Sequence, residues 1–256
     1  MITVDCGISA IDEIDYANSL GIETIVTDHH EVGETIPNAL AVVDAKRKDS
    51  IYPFRELAGV GVAFKLIQAI SQKLELEEKE YLKYLDIVCV GTISDIVPLI
   101  NENRVIAKLG LKLVEVTKNI GLKTLLEASS YKKIDSNTIS FGLAPRINAC
   151  GRMGEAEEAL NLFLTEDARK AKQIAEKLNE YNKERQETEK EIFEEAVKQV
   201  EEKEEKQVLV LGSEGWHHGV IGIVASKITD LYFKPSILVC FEEEMGKGSR
   251  KKYSRF

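Results

Sequence analysis

An α/β fold is predicted: a parallel-sheet domain, a long connecting helix, and the start of a second α/β domain. Three features of the sequence point to it. Short β-branched apolar runs alternate with helical patterning between residues 2 and 44. Residues 166–206 contain neither glycine nor proline and are dense in helix formers. New apolar runs then open at residue 207, where the composition shifts. Alternation of short strands with helices implies a parallel sheet covered on both faces.

The elements follow in order. Ile2–Asp5 is an apolar run ending in an acid. Ser9 is placed to cap a helix that carries Ile11, Ile14, Ala17 and Leu20 near one face, and Gly21 can close it. Glu23–Asp28 and Leu40–Asp44 are the second and third strands. Helical spacing of apolar residues marks Gly61–Leu74, Glu80–Val90 and Asn103–Val116. Phe141–Gly154, rich in Gly, Pro, Asn and Arg, is expected to be irregular. The Glu/Lys-rich helix that follows is expected to be a solvated connecting rod. Gln207–Leu211 and Ser236–Phe241 are strands flanking a helix at Gly219–Leu231. The expected divisions are residues 1–160, 161–206 and 207–256.

Composition excludes several classes. The 256 residues are 44% hydrophobic and 30% charged, the balance of a globular protein. No apolar run approaches the roughly 20 residues that span a bilayer, and Met1–Asp5 lack the features of a signal peptide. A cytoplasmic location without membrane attachment is the default. Cys6, Cys89, Cys150 and Cys240 show no zinc-ligand spacing and read as reduced thiols. A net charge of −9 rules out a protein coated in positive potential, so nucleic acid must be gripped by a local groove.

The four histidines fall in two adjacent pairs, His29-His30 and His217-His218. The first pair belongs to Asp28-His29-His30, at the carboxyl end of the second strand, and Asp5 ends the first. In an open parallel sheet these ends face one ligand-binding crevice. Imidazole and carboxylates converging there suit Mn²⁺ or Mg²⁺. Asp95, after an apolar helix and before Pro98, is a third acid on a loop.

Val4-Asp5-Cys6-Gly7-Ile8, Thr27-Asp28-His29-His30 and Gly91-Thr92-Ile93-Ser94-Asp95-Ile96-Val97-Pro98-Leu99 resemble three successive motifs of the DHH phosphoesterase superfamily. The resemblance implies that Asp5, His29 and Asp95 are metal ligands. It places Asp28 and His30 in or just behind the coordination sphere, all five being catalytic, with His30 also able to contact phosphate. Leu143–Gly154 resembles the signature loop of RecJ-type exonucleases, which makes Arg146, Asn148 and Arg152 substrate-binding. The arginines are suited to that role as forked phosphate donors. Gly215-Trp216-His217-His218-Gly219 resembles the opening of the DHHA1 substrate domain and adds His217 and His218.

The family implies a 5′→3′ single-strand DNA exonuclease. It works by hydrolysis with two Mn²⁺ or Mg²⁺ ions in DNA recombination and repair, beside single-strand binding protein and a RecQ-type helicase. Alternative readings are another DHH hydrolase, acting on oligoribonucleotides, a cyclic dinucleotide or pyrophosphate, or a non-catalytic RecJ-like scaffold. The family's leading DxD-type acidic motif has no counterpart here. The expectation is therefore an internal fragment, inactive alone, with an N-terminally incomplete sheet and a truncated DHHA1 domain. The final seven residues match the family pattern shifted by one nucleotide, so a frameshifted tail is expected. The competing reading is a basic DNA-binding tail of Lys247, Arg250, Lys251, Lys252 and Arg255.

Overall fold

The computed structural model describes residues 1–129, 131, 133–202, 206–242 and 245–253. They form two compact units, Met1–Ala144 and Pro145–Phe256. Ser254, Arg255 and Phe256 lie outside the described residues, and so therefore does part of the expected tail.

The first unit is built on a parallel sheet of β1 (Ile2–Val4), β2 (Ile25–Thr27) and β3 (Ala41–Val43), in that order. Its register aligns Val4, Thr27 and Val43, so the following residues, Asp5, Asp28 and Asp44, sit side by side at the carboxyl edge. The α/β fold class expected from the alternating runs is the one observed. Helix α1 (Ile11–Ser19) buries Ile14 and Ala17. Its N-cap is Ala10 rather than Ser9, and no side chain caps it. The chain enters through a tight turn at Gly7, which brings Ala10 N–H to the Gly7 carbonyl at 3.1 Å. Gly21, in the left-handed region at φ 73°, leaves the helix as expected.

Helices complete this unit. They are α2 (Gly59–Lys73), α3 (Lys79–Leu82), α4 (Leu85–Ser94), α5 (Asn101–Val114) and α6 (Ile120–Ser129). The single helix expected over Glu80–Val90 is thus two, with a break at Lys83-Tyr84. Helix α4 is apolar around its circumference and is buried accordingly, with Leu85, Val88, Cys89, Val90 and Ile93 all in the core.

The expectation of an irregular Phe141–Gly154 is overturned. Thr138–Leu143 forms a π-helical turn that leads into α7 (Ala144–Arg152). Pro145 falls at the junction of the two helical stretches, directly after the π-helical turn, whose altered winding is where a residue without an N–H can be accommodated. Gly154, at φ 90°, ends the run.

The second unit continues with α8 (Ala156–Leu164) and α9 (Ala168–Glu201). Asp167 caps α9, its carboxylate accepting from Arg169 N–H at 2.7 Å and Lys170 N–H at 3.3 Å. Thirty-four residues give α9 a length of about 50 Å. It is not solvated all round: Ala171, Ile174, Ala175, Leu178, Ile192 and Ala196 are buried along one side. Most of the Glu/Lys content that suggested a bare rod belongs to its outer face, while Glu189 is buried and paired with Arg185 and Lys227. A sheet ordered β4 (Leu209–Ser213), β5 (Ser236–Glu242), β6 (Met245–Lys251) follows, with β4–β5 parallel and β5–β6 antiparallel. Helix α10 (His218–Tyr232) joins β4 to β5. Its Val220, Ile221, Val224 and Ile228 form a core with Ile192, Leu211, Trp216 and Leu238.

Candidate metal centre

At the end of β1 the backbone turns sharply. Asp5 sits at φ 61°, unusual for any residue with a side chain, and its N–H still reaches the Thr27 carbonyl at 3.0 Å. Gly7 follows at φ 112°, where a Cβ would press on Thr3 and Val26. The next residue, Ile8, donates its N–H to Asp28 Oδ2 at 2.9 Å. The loop carrying Asp5 is thereby pinned to the end of β2.

Asp28 turns inward and is 1% exposed. Its Oδ1 accepts from His29 N–H at 2.7 Å and His30 N–H at 3.3 Å, and pairs with His30 Nδ1 at 2.7 Å. Burial alone would raise this carboxyl's pKa. The Ile8 N–H, the His30 ring and the two further N–H groups outweigh burial and hold it below the usual carboxylate range. His30 is raised in turn, chiefly by its bond to Asp28. Both Asp28 oxygens are engaged by protein donors, so its work is to hold the turn and the imidazole.

His29 Nε2 is buried and makes no hydrogen bond among the described residues. Asp5 Oδ1 lies 3.0 Å from it and Asp95 Oδ2 3.4 Å. Asp95 caps α4, its N–H on the Gly91 carbonyl at 3.0 Å. Burial raises the Asp95 pKa, and Asp5 adds to that against the opposing pull of His29. One ligand atom from each of Asp5, His29 and His30 lies within 4.8 Å of the others. Adjacent ligands on an octahedral cation at about 2.1 Å stand about 3.0 Å apart. The spacing around His29 Nε2 therefore fits two vertices of one divalent ion. The Asp28–His30 pair is also the usual brace behind a ligating imidazole.

Two contributors escaped the sequence reading. Gly59 opens α2 against the Asp5 carboxylate, and a Cβ there would collide with it. Asp44 stands beside Asp28 in register and is 4% exposed; Oδ1 accepts from Lys46 N–H at 2.8 Å, and burial raises its pKa. The Asp at the end of Leu40–Asp44 was a usable signal for the second. Gly59, in Ala58-Gly59-Val60-Gly61, has no local signal for what it faces.

The expected substrate residues gather separately, in the second unit. Arg152 Nη1 donates to the Gly219 carbonyl at 3.0 Å, at the start of α10. His217 caps that helix, its Nδ1 accepting from Gly219 N–H at 3.1 Å. The His218 ring stacks on His217 with centroids 5.1 Å apart, and its Nδ1 pairs with Glu242 at 2.9 Å. Arg146 Nε donates to Asn179 Oδ1 at 2.5 Å, and Asn148 is exposed on α7. Of the basic tail residues, Lys247 pairs with Glu242 at 3.0 Å, and Arg250 lies within β6.

The model of the DHH family, N-terminal domain, matches residues 1–92, which hold Asp5, Asp28, His29 and His30. The chain is 42% identical over 261 residues to the single-stranded-DNA-specific exonuclease RecJ of Bacillus subtilis, covering 100% of this chain and 32% of that protein. For RecJ of Thermus thermophilus the identity is 40% over 250 residues, covering 97% and 35%. The solved structure of Thermus thermophilus RecJ in complex with Mn²⁺ superposes with a TM-score of 0.85 at 39% identity, over 93% of this chain and 36% of that one. The same protein in complex with Mg²⁺ gives 0.77 at 36%, over 93% and 34%. The chain spans about a third of the length of these relatives. Over nearly its whole length the chain is thus similar to RecJ-type exonucleases, and its residues 1–92 match the DHH family's N-terminal domain.

Proposed function

We propose that the chain supplies the metal-binding part of a 5′→3′ single-strand DNA exonuclease that hydrolyses phosphodiesters with Mn²⁺ or Mg²⁺. The observation that carries this is His29 Nε2, buried without a hydrogen bond and flanked by Asp5 and Asp95 oxygens at 3.0 and 3.4 Å. Asp5, His29 and Asp95 would hold the ions, with His30 beside them. When bound, such cations supply an activated water and neutralise charge on the phosphate.

The protein's own groups do the positioning. Asp28 holds the His30 ring through Nδ1, which leaves Nε2 for a cation or a phosphate oxygen. Asp5, held at positive φ, keeps its carboxylate against His29. Arg146, Asn148, Arg152, His217 and His218 are read as contacts to the DNA strand, by forked donation to phosphate and by the stacking face of imidazole. Arg152 already spends one donor on Gly219, so it would contribute its remaining N–H groups. Residues 207–256 would belong to the substrate-binding part. The setting is DNA recombination and repair in the cytoplasm, beside single-strand binding protein and a RecQ-type helicase. No helix among the described residues is long and apolar enough to cross a membrane.

The test is digestion of 5′-labelled single-stranded DNA beside short RNA in Mn²⁺ by the full-length protein that carries this chain, with Mn²⁺ binding followed by electron paramagnetic resonance. Mononucleotide release from DNA, lost in His29→Ala together with Mn²⁺ binding, is the expected result. Preferential digestion of RNA, or Mn²⁺ binding that survives His29→Ala, overturns the reading.

A further inference from the structure

We propose that Asn103 is a positioning residue for the metal centre, tying the turn that carries Asp95 to the segment that seats Asp5. The proposal rests on the metal-binding reading above and names a residue outside the family motifs.

Asn103, in the first turn of α5, has no exposed surface. Its Nδ2 donates to two backbone carbonyls, Glu56 and Pro98, the latter at 3.0 Å. Its Oδ1 has no hydrogen-bond partner among the described residues. The amino group is therefore the working half of the side chain, and one nitrogen spans two separate loops.

Each loop delivers one side of the site. Glu56 lies three residues before Gly59, the helix start against which the Asp5 carboxylate rests. Pro98 lies three residues after Asp95, in a turn with two left-handed non-glycine residues, Ile96 at φ 60° and Asn101 at φ 43°. A β-branched residue at positive φ is strained. Ile96 is also 88% exposed, so packing of its side chain does little to hold it there. The Pro98 carbonyl accepts from Ile100 N–H as well, at 2.9 Å. Two hydrogen bonds thus converge on the Pro98 carbonyl at the far end of the strained turn, and Asn103 links it across to the Glu56 segment. Without that amide the turn can relax, and Asp95 Oδ2 loses its set distance from His29 Nε2.

Three proteins test this: Asn103→Ala, Asn103→Ser, which keeps one hydroxyl donor, and Leu122→Ala. Leu122 is fully buried in α6 of the same unit, so Leu122→Ala controls for a general loss of stability. Two readouts are taken, Mn²⁺ affinity by electron paramagnetic resonance and the His29 ring resonances by NMR without metal. Loss of an outer support of a metal site weakens affinity by about 10- to 100-fold. Asn103→Ala is expected to fall in that range and to shift the His29 resonances. Asn103→Ser should lie between it and the wild type, and Leu122→Ala should change neither readout. If Asn103→Ala does not fold, Asn103→Ser against Leu122→Ala decides. His29 resonances and affinity unchanged in the Asn103 variants, or changed equally in Leu122→Ala, overturn the proposal. Wild-type protein that binds no Mn²⁺ while the His29 resonances respond overturns the metal reading and leaves Asn103 as a positioning residue for His29 and Asp95.

Discussion

Replacing Gly59 with alanine puts a methyl group where the Asp5 carboxylate now rests. An ideal Cβ at this position would lie within 3 Å of Asp5 Oδ1, Cγ and Cβ. Rotation of the carboxylate clears the first two, but the Asp5 Cβ is fixed to its backbone and forces a shift of several tenths of an ångström. The Asp5 side chain is 54% exposed, so it can move outward into water at little cost to the fold. Alanine in place of glycine in a helix is favourable by up to about 1 kcal/mol, and the overlap costs about 1–3 kcal/mol before relaxation. Net stability should therefore change by no more than about 1–2 kcal/mol. If Asp5 and His29 share a cation as proposed, metal binding has no such cushion, because the 3.0 Å spacing between Asp5 Oδ1 and His29 Nε2 is the one adjacent ligands take. Mn²⁺ affinity should drop about 10- to 100-fold, or about 1.4–2.7 kcal/mol. Titration by electron paramagnetic resonance, paired with urea denaturation, separates the two effects. Affinity within twofold of wild type would refute the idea that Gly59 makes room for a ligating Asp5.

Three further outcomes are expected. Asp28→Asn replaces a buried acceptor of three N–H groups and a ring nitrogen with a side chain that must turn an amino group toward one of them. It should cost about 2–4 kcal/mol by urea denaturation, and a loss below 1 kcal/mol would contradict the assigned pairing. Trp216→Phe removes the indole donation to Glu195 Oε2 at 2.8 Å inside the second unit's core. A loss of about 2 kcal/mol is expected, with hydrogen-exchange protection falling in α10 and β5; unchanged protection there would count against it. Glu102 pairs with Lys65 and accepts from Tyr52 at 2.6 Å; burial raises its pKa, but the two partners together depress it. A depressed folded pKa contributes stability above the unfolded value near 4.5 that is lost as pH falls through the folded one. Glu102→Gln should thus cost about 1 kcal/mol at pH 7 and less as the pH is lowered below 4.5, and an equal loss throughout would sink the assignment.

Much of the site was legible before any coordinates. Asp5, Asp28, His29 and His30 stand at the ends of β-branched runs, and a parallel sheet brings such ends to one edge whatever the rest of the chain does. The long helix was legible from residues 166–206, which lack glycine and proline. Its buried face was not, because the surrounding Glu and Lys hide a sparse stripe of Ala, Ile and Leu. Residues 141–154 misled for the opposite reason: turn formers dominate locally, yet a π-helical turn just before Pro145 lets the helix run on through it.

By itself the sequence determined the candidate donor groups, the strand ends that carry them, and the order of helices and sheets. Tertiary structure alone decided the division of labour among them. Asp28 and Asp5 are both acids at strand ends. One became a buried brace because three N–H groups and an imidazole converge on it, and the other became the open carboxylate because its backbone turns to positive φ. Gly59 meets Asp5 across 54 residues of chain, and Asn103 reaches the Glu56 carbonyl across 47. Such contacts carry no period or local pattern, only proximity that exists once α2 and α5 have packed.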